Sequence, residues 1–296
     1  MIADVALLVN PTSGGGRAAA TARRVADYLR RSGVAVEELS GRDENEALDL
    51  GRRAVERGTG ALVACGGDGI VNVALQAVAG TSTPFGVIPA GTGNDHARML
   101  GIPRGDPMAA AQVVLEGTAR PVDLGRTTGQ DGQRWFGTVL AGGFDAKVTD
   151  RTNRLSWPRG KMRYNLAILV ELAALKPMEY VLEMDGQRWE TSAMLVAVGN
   201  GQSYGGGMRI CPSAIDDDGQ FDITVIGEIG VGRLVRVFPT IYKGRHVDYT
   251  RVSTYRARSV TLSTPDVTAY ADGERFAPLP VTCECVPRAA LALVPR

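Results

Sequence analysis

The chain has 296 residues, of which 44% are hydrophobic, and its 33 Lys and Arg residues nearly balance 32 Asp and Glu residues, for a formal net charge of +1. This size suffices for two folded domains, and the balanced charge argues against a nucleic-acid-binding protein. No basic stretch precedes the first apolar run, and the longest apolar runs, at residues 166–175 and 193–198, are shorter than the roughly 18 residues that span a bilayer. We therefore expect a cytoplasmic protein, soluble or peripheral to the inner face of the membrane.

Strands and helices are predicted to alternate over residues 1–125. Short apolar runs predict strands at residues 5–9, 34–39, 61–64 and 85–88. Amphipathic stretches predict helices at residues 17–31 and 43–57, after Gly69, and near residues 94–100 and 106–116. Asp43 is a plausible N-cap of the second helix, and Gly58 follows its end. This alternation is typical of a doubly wound α/β domain, in which helices cover both faces of a parallel sheet.

The pattern changes near residue 125. Runs rich in β-forming residues predict strands at residues 135–141, 178–184, 188–198, 221–226, 250–262, 267–270 and 280–286. Helical patterns interrupt them at residues 162–175 and 231–242. We expect residues 126–296 to form a second domain, an antiparallel β-sandwich, and leave open that the last few residues return to the first domain.

Cysteine and histidine usage narrows the chemistry. The chain has four cysteines, Cys65, Cys211, Cys283 and Cys285. Their spacing fits neither a disulfide framework nor a zinc site, so we expect buried thiols in a reducing compartment. The two histidines, His96 and His246, lie near no serine-centred elbow motif, which argues against a Ser-His-Asp hydrolase.

Three glycine-bearing segments follow predicted strands and precede predicted helices. They are NPTSGGG at residues 10–16, GGDG at residues 66–69 and GTGND at residues 91–95. At such a junction the backbone N–H groups of the helix N-terminus point at a ligand, and anions bind there. Because the carboxyl ends of parallel strands meet at one edge of a sheet, the three segments together predict a site for the phosphates of a nucleotide.

These segments do not match the familiar nucleotide fingerprints. Residues 10–16 lack the Gly-Lys-Ser/Thr ending of a P-loop, and His96 interrupts a G-x-G-x-x-G pattern. Asp68 places a carboxylate inside a predicted phosphate-binding loop, which is reasonable if a divalent cation lies between the two anions. A tight turn with Asp68 as a helix cap is the alternative.

The order of the segments resembles the diacylglycerol kinase catalytic family, in particular its soluble bacterial lipid kinases. Further matching motifs are PVDLG at residues 121–125, GGGMRI at 205–210, DDGQFD at 217–222 and DGE at 272–274. The resemblance covers essentially the whole chain. It implies an α/β domain related to NAD kinase, a C-terminal β-sandwich and ATP between them. It also implies a magnesium-dependent lipid kinase whose expected acceptor is diacylglycerol and whose expected product is phosphatidic acid.

The resemblance further implies a set of nucleotide-binding residues. Backbone amides of residues 10–14 would hold phosphate, residues 66–72 would form the main phosphate-facing loop, and two hydroxyl groups outside these loops would add contacts. The implied residues are Asn10, Pro11, Thr12, Ser13, Gly14, Ser40, Gly66, Gly67, Asp68, Gly69, Ile70, Val71, Asn72 and Thr92.

Two acidic motifs in the second half are assigned by the same resemblance. Glu274 matches the general base of the family, and we expect Asp272 and Glu274 to extend from the same side of one strand; acidic residues around a turn are the alternative. A magnesium ion that braces the second domain would be held by the carbonyls of Ile215 and Gln220 and by the carboxylate of Asp218. A hairpin loop without an ion is the alternative there.

A membrane-bound acceptor requires peripheral membrane contact. Residues 151–164 contain five basic residues, no acidic residue, and the aromatic residues Trp157 and Tyr164, a composition that suits an anionic membrane surface. A solvated loop and helix start is the alternative.

Two other functions stay open at this point. One is a kinase of another acceptor, such as a sphingoid base, another glycerolipid or NAD. The other is a non-catalytic nucleotide- and lipid-binding protein, because Ile70 and Val73 stand where the family has a threonine and a glutamate. A homodimer is also left open.

Overall fold

The computed structural model describes residues 2–10, 17–142 and 176–296. The helices in these ranges are α1 (Arg17–Arg31), α2 (Glu44–Glu56), α3 (Asp68–Val78), α4 (Asp95–Met99), α5 (Pro107–Glu116) and α6 (Val231–Ile241), with a 3-10 helix at Arg245–Asp248. The first eight strands are β1 (Asp4–Val9), β2 (Ala35–Leu39), β3 (Leu62–Gly66), β4 (Pro84–Pro89), β5 (Thr118–Gly129), β6 (Gly132–Phe136), β7 (Val139–Gly142) and β8 (Met178–Met184). The next eight are β9 (Gln187–Ala193), β10 (Leu195–Gly199), β11 (Phe221–Ile226), β12 (Val252–Ala257), β13 (Ser259–Ser263), β14 (Thr268–Ala271), β15 (Glu274–Pro278) and β16 (Val281–Val294).

The first half of the chain forms the predicted α/β arrangement. Its four strands are parallel and lie in the order β2-β1-β3-β4. Every residue of β3 is buried, as expected for a central strand with helices on both faces. The predicted cap of α2 is confirmed, because the Asp43 carboxylate accepts a hydrogen bond from the Glu46 N–H at 2.9 Å.

The same sheet continues into the second half of the chain. β16 lies parallel to β4 and antiparallel to β5 and β13, and β8 and β9 extend the sheet beyond β13. Near its C-terminal end, Ala290, Ala292 and Leu293 of β16 pack in the core of the first half. β5 contains both residue 125 and residue 126, so the sheet crosses this point without a break. A division of the chain into domains at residues 125 and 126 stays a prediction.

Six strands form a second, antiparallel sheet in the order β12-β11-β10-β7-β14-β15. Tyr180 and Leu182 from the first sheet pack in one core with Leu140 and Phe221 from the second. The predicted antiparallel β-sandwich is therefore confirmed. The outer face of the second sheet packs against α6, where Phe238 shares a core with strand residues.

Three of the runs were each predicted to form one strand, but each of them contains parts of two strands. The breaks fall at residues 137–138, 194 and 258, between β6 and β7, β9 and β10, and β12 and β13. At each break the chain leaves one sheet of the sandwich and enters the other. The apolar pattern continues through these crossings because both strands contribute to the same core, so the pattern alone does not show them.

Other expectations have simple outcomes. The predicted helix at residues 231–242 is confirmed as α6, whereas the one at residues 162–175 lies outside the described residues. All four cysteines are free and buried, as predicted. Of the helices within residues 2–10, 17–142 and 176–296, none has the length and apolar character needed to cross a membrane.

Candidate active site

Three strand ends bring the predicted phosphate-binding segments to one edge of the sheet. Asn10 follows β1, Gly66 is the last residue of β3, and residues 91–95 follow β4. β1 and β4 both pair with β3, and the Ala90 N–H donates to the Gly66 carbonyl at 2.8 Å. Residues 11–14, which were also predicted to bind phosphate, lie outside the described residues.

Asp68, the first residue of α3, joins two of these segments. One of its carboxylate oxygens accepts the N–H groups of Asp95 at 2.7 Å and His96 at 3.2 Å. Burial opposes ionisation of Asp68, but the hydrogen bonds and charge of His96 outweigh it and lower the pKa of the carboxyl group. Asp68 therefore stabilises the start of α4, and its side chain keeps 21% of its surface exposed.

Asp95 connects the same edge to the second half of the chain. Its carboxylate pairs with Arg98 and accepts hydrogen bonds from the Ser203 hydroxyl at 3.2 Å and the Gly206 N–H at 2.7 Å. Burial, followed by the negative charge of Asp68, raises the pKa of Asp95. The glycine motif at residues 205–210 thus packs against the motif at residues 91–95.

The DGE motif is a hairpin turn and not a strand segment. Asp272 and Gly273 both have positive φ, 52° and 85°, and they connect Ala271 to Glu274, which pair across β14 and β15. A two-residue loop with this geometry favours Asp-Gly. The expectation that Asp272 and Glu274 extend from one strand is therefore wrong: Asp272 lies in the turn and Glu274 begins β15.

Asp272 is a buried acceptor for several donors. Its carboxylate accepts hydrogen bonds from the N–H groups of Gly137 (2.9 Å) and Thr138 (2.8 Å), from the Thr138 hydroxyl (2.6 Å) and from the Asn72 amide (2.9 Å). Its side chain has 0% exposure. These bonds fix the turn against both the loop after β6 and α3.

His96 lies between two carboxylates from different motifs. Its Nε2 is 3.1 Å from an oxygen of Asp272, and its Nδ1 is 3.3 Å from an oxygen of Asp68. Burial alone would lower the pKa of His96, but the charges of Asp272 and Asp68 and their hydrogen bonds raise it to about 10. In the same way, the charge of His96 outweighs burial and holds the pKa of Asp272 well below its usual range. The imidazole is therefore a buried cation that donates to both carboxylates.

Glu274 lines a cleft of about 240 Å³ at the same edge. The cleft is lined by Val9, Asn10, Gly41, Arg42, Asp43, Glu44, Ala47, Gly69, Ile70, Val73 and Glu274. A Cβ atom on Gly69 would lie 3.1 Å from a Glu274 carboxylate oxygen, so the last glycine of the GGDG motif leaves room for this carboxylate. The GGDG segment and Glu274 are thus immediate neighbours.

The surroundings of Glu274 make it a stronger base than an exposed glutamate. Burial is the largest cause that raises its pKa, followed by the negative charge of Glu44, with smaller effects of the same sign from Asp272 and Asp68. The guanidinium of Arg134 acts in the opposite direction. Arg134 itself donates to Glu44 at 2.7 Å and so lies on the rim of the cleft.

The structure brings together only some of the predicted nucleotide-binding residues. Asn10, Gly69 and Ile70 share the cleft with Glu274, whereas Ser40 and Thr92 are exposed and do not line it. The side chains of Val71 and Asn72 are buried, at 2% and 0% exposure. Val71 packs in the core and the Asn72 amide donates to Asp272, and the assignment of both residues to the phosphate-facing loop stays a prediction.

The predicted magnesium loop is held by side chains. Asp218 pairs with Arg256, and its second oxygen accepts the Gln220 N–H at 3.1 Å. The Gly219 N–H donates to Asp123 at 2.6 Å. The Ile215 side chain is 50% exposed. In the part of the chain that the structure describes, no three His, Cys, Asp or Glu side chains are grouped so that they could hold a metal ion.

Sequence reasoning gave His96 no role and noted Asp272 only beside Glu274 in the DGE motif. His96 directly follows the GTGND motif and is one of only two histidines, which is the signal that could have drawn attention to it. Nothing local indicates its partner, because 176 positions separate His96 from Asp272.

Comparisons with known proteins agree with this arrangement. The model of the diacylglycerol kinase catalytic domain matches residues 4–127, and that of the YegS C-terminal NAD kinase beta sandwich-like domain matches residues 137–294. Among solved structures, a diacylglycerol kinase from Bacillus anthracis shares the fold with a TM-score of 0.76 at 21% identity, over 99% of this chain and 97% of that one. The protein is thus a two-part kinase with an α/β half and a β-sandwich half.

Curated relatives give the family. The chain is 46% identical to a diacylglycerol kinase of Mycobacterium tuberculosis, over 100% of this chain and 96% of the relative. It is 30% identical to a diacylglycerol kinase of Bacillus subtilis, over 93% of this chain and 90% of the relative. The chain belongs to the diacylglycerol kinase family of lipid kinases, and membership of this kinase family implies the use of ATP.

Proposed function

We propose that the protein transfers the γ-phosphoryl group of ATP to the free hydroxyl of diacylglycerol and forms phosphatidic acid, with Glu274 as the general base. The position of Glu274 carries the proposal, since it shares a cleft with Asn10 and Gly69 at the edge where the phosphate-binding motifs meet. The names of the full-length relatives support diacylglycerol as the acceptor.

The chain's own residues supply positioning and a proton acceptor. Phosphoryl transfer needs an aligned hydroxyl, neutralised phosphate charge and a destination for the hydroxyl proton. The N-terminus of α3 reaches the cleft through Gly69 and Ile70, so its dipole favours bound phosphate. Glu274 accepts the proton of the acceptor hydroxyl, and its raised pKa strengthens it for that step. Magnesium, when bound with the nucleotide, would neutralise phosphate charge.

A lipid panel tests the proposal directly. The enzyme is incubated with γ-labelled ATP and mixed micelles that contain diacylglycerol, a monoacylglycerol or a sphingoid base, with NAD in a separate reaction. We expect labelled phosphatidic acid from diacylglycerol at the highest kcat/KM. A higher kcat/KM with another acceptor would replace diacylglycerol in the proposal, and an activity that is indifferent to micelles would indicate a soluble acceptor.

The non-catalytic alternative makes a different prediction in the same assay. Ile70 and Val73 line the cleft with apolar surface where the family has a hydroxyl and a carboxylate. If these replacements remove catalysis, ATP binds in equilibrium dialysis but no acceptor in the panel becomes labelled. Turnover of any lipid acceptor excludes this alternative.

The pH dependence of kcat/KM reports the proposed base. Glu274 acts only when ionised, so activity falls as the pH falls through its pKa, which lies above the ordinary value of 4.5. Because Arg134 lowers this pKa, Arg134→Gln should move the acid limb of the profile to higher pH. Arg188→Gln, which removes an exposed arginine from β9, is the matched control and should leave the limb in place. An acid limb that is the same in wild type and Arg134→Gln would argue against Glu274 as the titrating group.

We also propose that a magnesium ion braces the second half of the chain at Asp218, with the carbonyls of Ile215 and Gln220. The donor set fits magnesium in kind, since all three ligands are oxygens. Arg256 competes for the Asp218 carboxylate, so a bound ion must displace this guanidinium.

Melting temperatures test the magnesium site. Added Mg²⁺ should raise the Tm of the wild type without nucleotide, because an ion that binds only the folded state stabilises it. Asp218→Ala should abolish this rise, and Arg256→Gln should enlarge it by freeing the carboxylate. Asp217→Ala, which changes the neighbouring exposed carboxylate, should retain the rise. If added Mg²⁺ leaves the Tm unchanged in both the wild type and Arg256→Gln, the proposal of a structural magnesium ion is wrong.

Peripheral contact with the inner face of the membrane is a further part of the proposal. The basic segment at residues 151–164 that motivates it lies outside the described residues. Each basic residue near an anionic surface contributes about 1 kcal/mol of binding free energy. Loss of binding to anionic vesicles after reversal of the charges of Arg154, Arg159 and Lys161 would support contact through this segment, and unchanged binding would exclude it. The homodimer also stays a prediction.

A further inference from the structure

The site contains a buried histidine that the proposed reaction does not use. His96 is 1% exposed and does not line the cleft that contains Glu274. Its ring is held in a close-fitting position, since a Cβ atom on Gly137 would lie 2.9 Å from Nε2. A buried polar ring of this kind is stable only because both nitrogens have partners.

The two partners of His96 belong to the two halves of the proposed active site. Asp68 is the first residue of the helix whose next residue, Gly69, lines the nucleotide cleft. Asp272 begins the two-residue turn that leads directly into Glu274. The imidazole of His96 therefore connects the GGDG segment to the DGE turn through two hydrogen bonds.

Other hydrogen bonds also restrict movement of the DGE turn. Asp272 is also fixed by Gly137, Thr138 and Asn72, and only Gly273 separates it from Glu274. A shift of the turn relative to α3 would thus move the Glu274 carboxylate relative to Gly69, which lines the same cleft and leaves room for it. A misplacement of about 1 Å at a reacting group can cost on the order of 100-fold in rate.

We infer that His96 is a positioning residue, which donates simultaneously to Asp68 and Asp272 and so, together with the direct bond from Asn72 of α3, sets the distance between the nucleotide-binding loop and Glu274. The inference rests on the proposed role of Glu274 as base. His96 itself touches no substrate in this scheme, and it acts through the DGE turn.

Replacement of His96 in two backgrounds tests the inference. His96→Phe removes both donors, and in the enzyme with Glu274 it should lower kcat by about 10- to 100-fold. In a Glu274→Gln background the same change should lower kcat by less than about 2-fold, because the group being positioned is already absent. The Kd of ATP should change by the same factor in both backgrounds, because any effect of the ring on ATP binding passes through Asp68 and not through Glu274.

Two further variants keep the test decisive. His96→Gln retains one donor and should give a smaller loss of kcat, and it replaces His96→Phe if circular dichroism shows that the latter does not fold. His246→Phe alters the other buried histidine, whose Nε2 lies 3.1 Å from the Ile210 carbonyl, and should lower Tm without a background-dependent change in kcat.

The failures of the inference and of the proposed function can be told apart. Suppose that Glu274→Gln is slow and that His96→Phe lowers kcat by the same factor with and without Glu274. This result would overturn the positioning role of His96 and would still support Glu274 as the general base. Unchanged kcat in His96→Phe would do the same. Near-normal turnover of Glu274→Gln would overturn the proposed role of Glu274 as general base, and the inference about His96 would fail with it.

Discussion

Glu274→Gln is expected to lower kcat by at least about 100-fold while the fold and ATP binding are retained, which is the usual scale for loss of a positioned general base. The amide has nearly the same shape as the carboxylate but cannot accept the hydroxyl proton. Glu274 is half-buried at the start of β15, and it is not part of the hydrogen-bond set around Asp272, so the substitution should change Tm little. Single-turnover phosphorylation of diacylglycerol and equilibrium binding of ATP measure the two quantities separately.

Glu44→Gln is the matched control for this substitution. Glu44 lines the same cleft and carries the same charge, but its side chain is 54% exposed and pairs with Arg134 at the rim. Its loss should change kcat by no more than a few-fold, on the order of the effect of a screened surface charge. Similar losses in both variants would mean that the cleft needs negative charge in general, and turnover close to wild type in Glu274→Gln would remove Glu274 from the mechanism.

The sequence was sufficient to place the three glycine-bearing motifs at one edge of the sheet. Alternating strands and helices imply a parallel sheet, and the carboxyl ends of neighbouring strands must then lie at one edge. Asn10, Gly66 and the segment after β4 meet there as expected. Asp-Gly at positions 272 and 273 is also a signal for a two-residue hairpin loop, but the prediction placed Asp272 and Glu274 on one strand, and the structure has the loop instead.

Long-range pairing is what the sequence could not show. Asn72 was assigned to the phosphate-facing loop from its place after the GGDG motif, but it is fully buried because it donates to Asp272, 200 positions away. The connection of His96 to Asp272 depends on the same crossing of the two halves. Such contacts follow from the way the sheets pack, and no local periodicity records them.

Asp272→Asn is expected to destabilise the folded state strongly, by about 3 kcal/mol or more, as is typical when one partner of a buried ion pair is removed. The carboxylate is fully buried and accepts from Gly137, Thr138, Asn72 and His96. An amide has only one acceptor oxygen, and its NH₂ group would face donors. The imidazolium of His96 would also lose its main compensating charge. Denaturant unfolding curves give the free energy of unfolding.

Asp185→Asn separates this effect from the turn conformation. Asp185 and Gly186 form a second Asp-Gly hairpin loop, between β8 and β9, with φ values of 49° and 79° that nearly match those of Asp272 and Gly273. The Asp185 carboxylate is exposed and accepts from the N–H groups of Arg258 and Ser259. Since asparagine tolerates the left-handed conformation, neither substitution strains the backbone, and Asp185→Asn should cost at most about 1 kcal/mol. Equal destabilisation by the two substitutions would show that the Asp272 carboxylate contributes no more than an exposed turn residue. The buried connection between His96, Asp272 and Asp68 would then not be what holds the DGE turn against the GGDG segment.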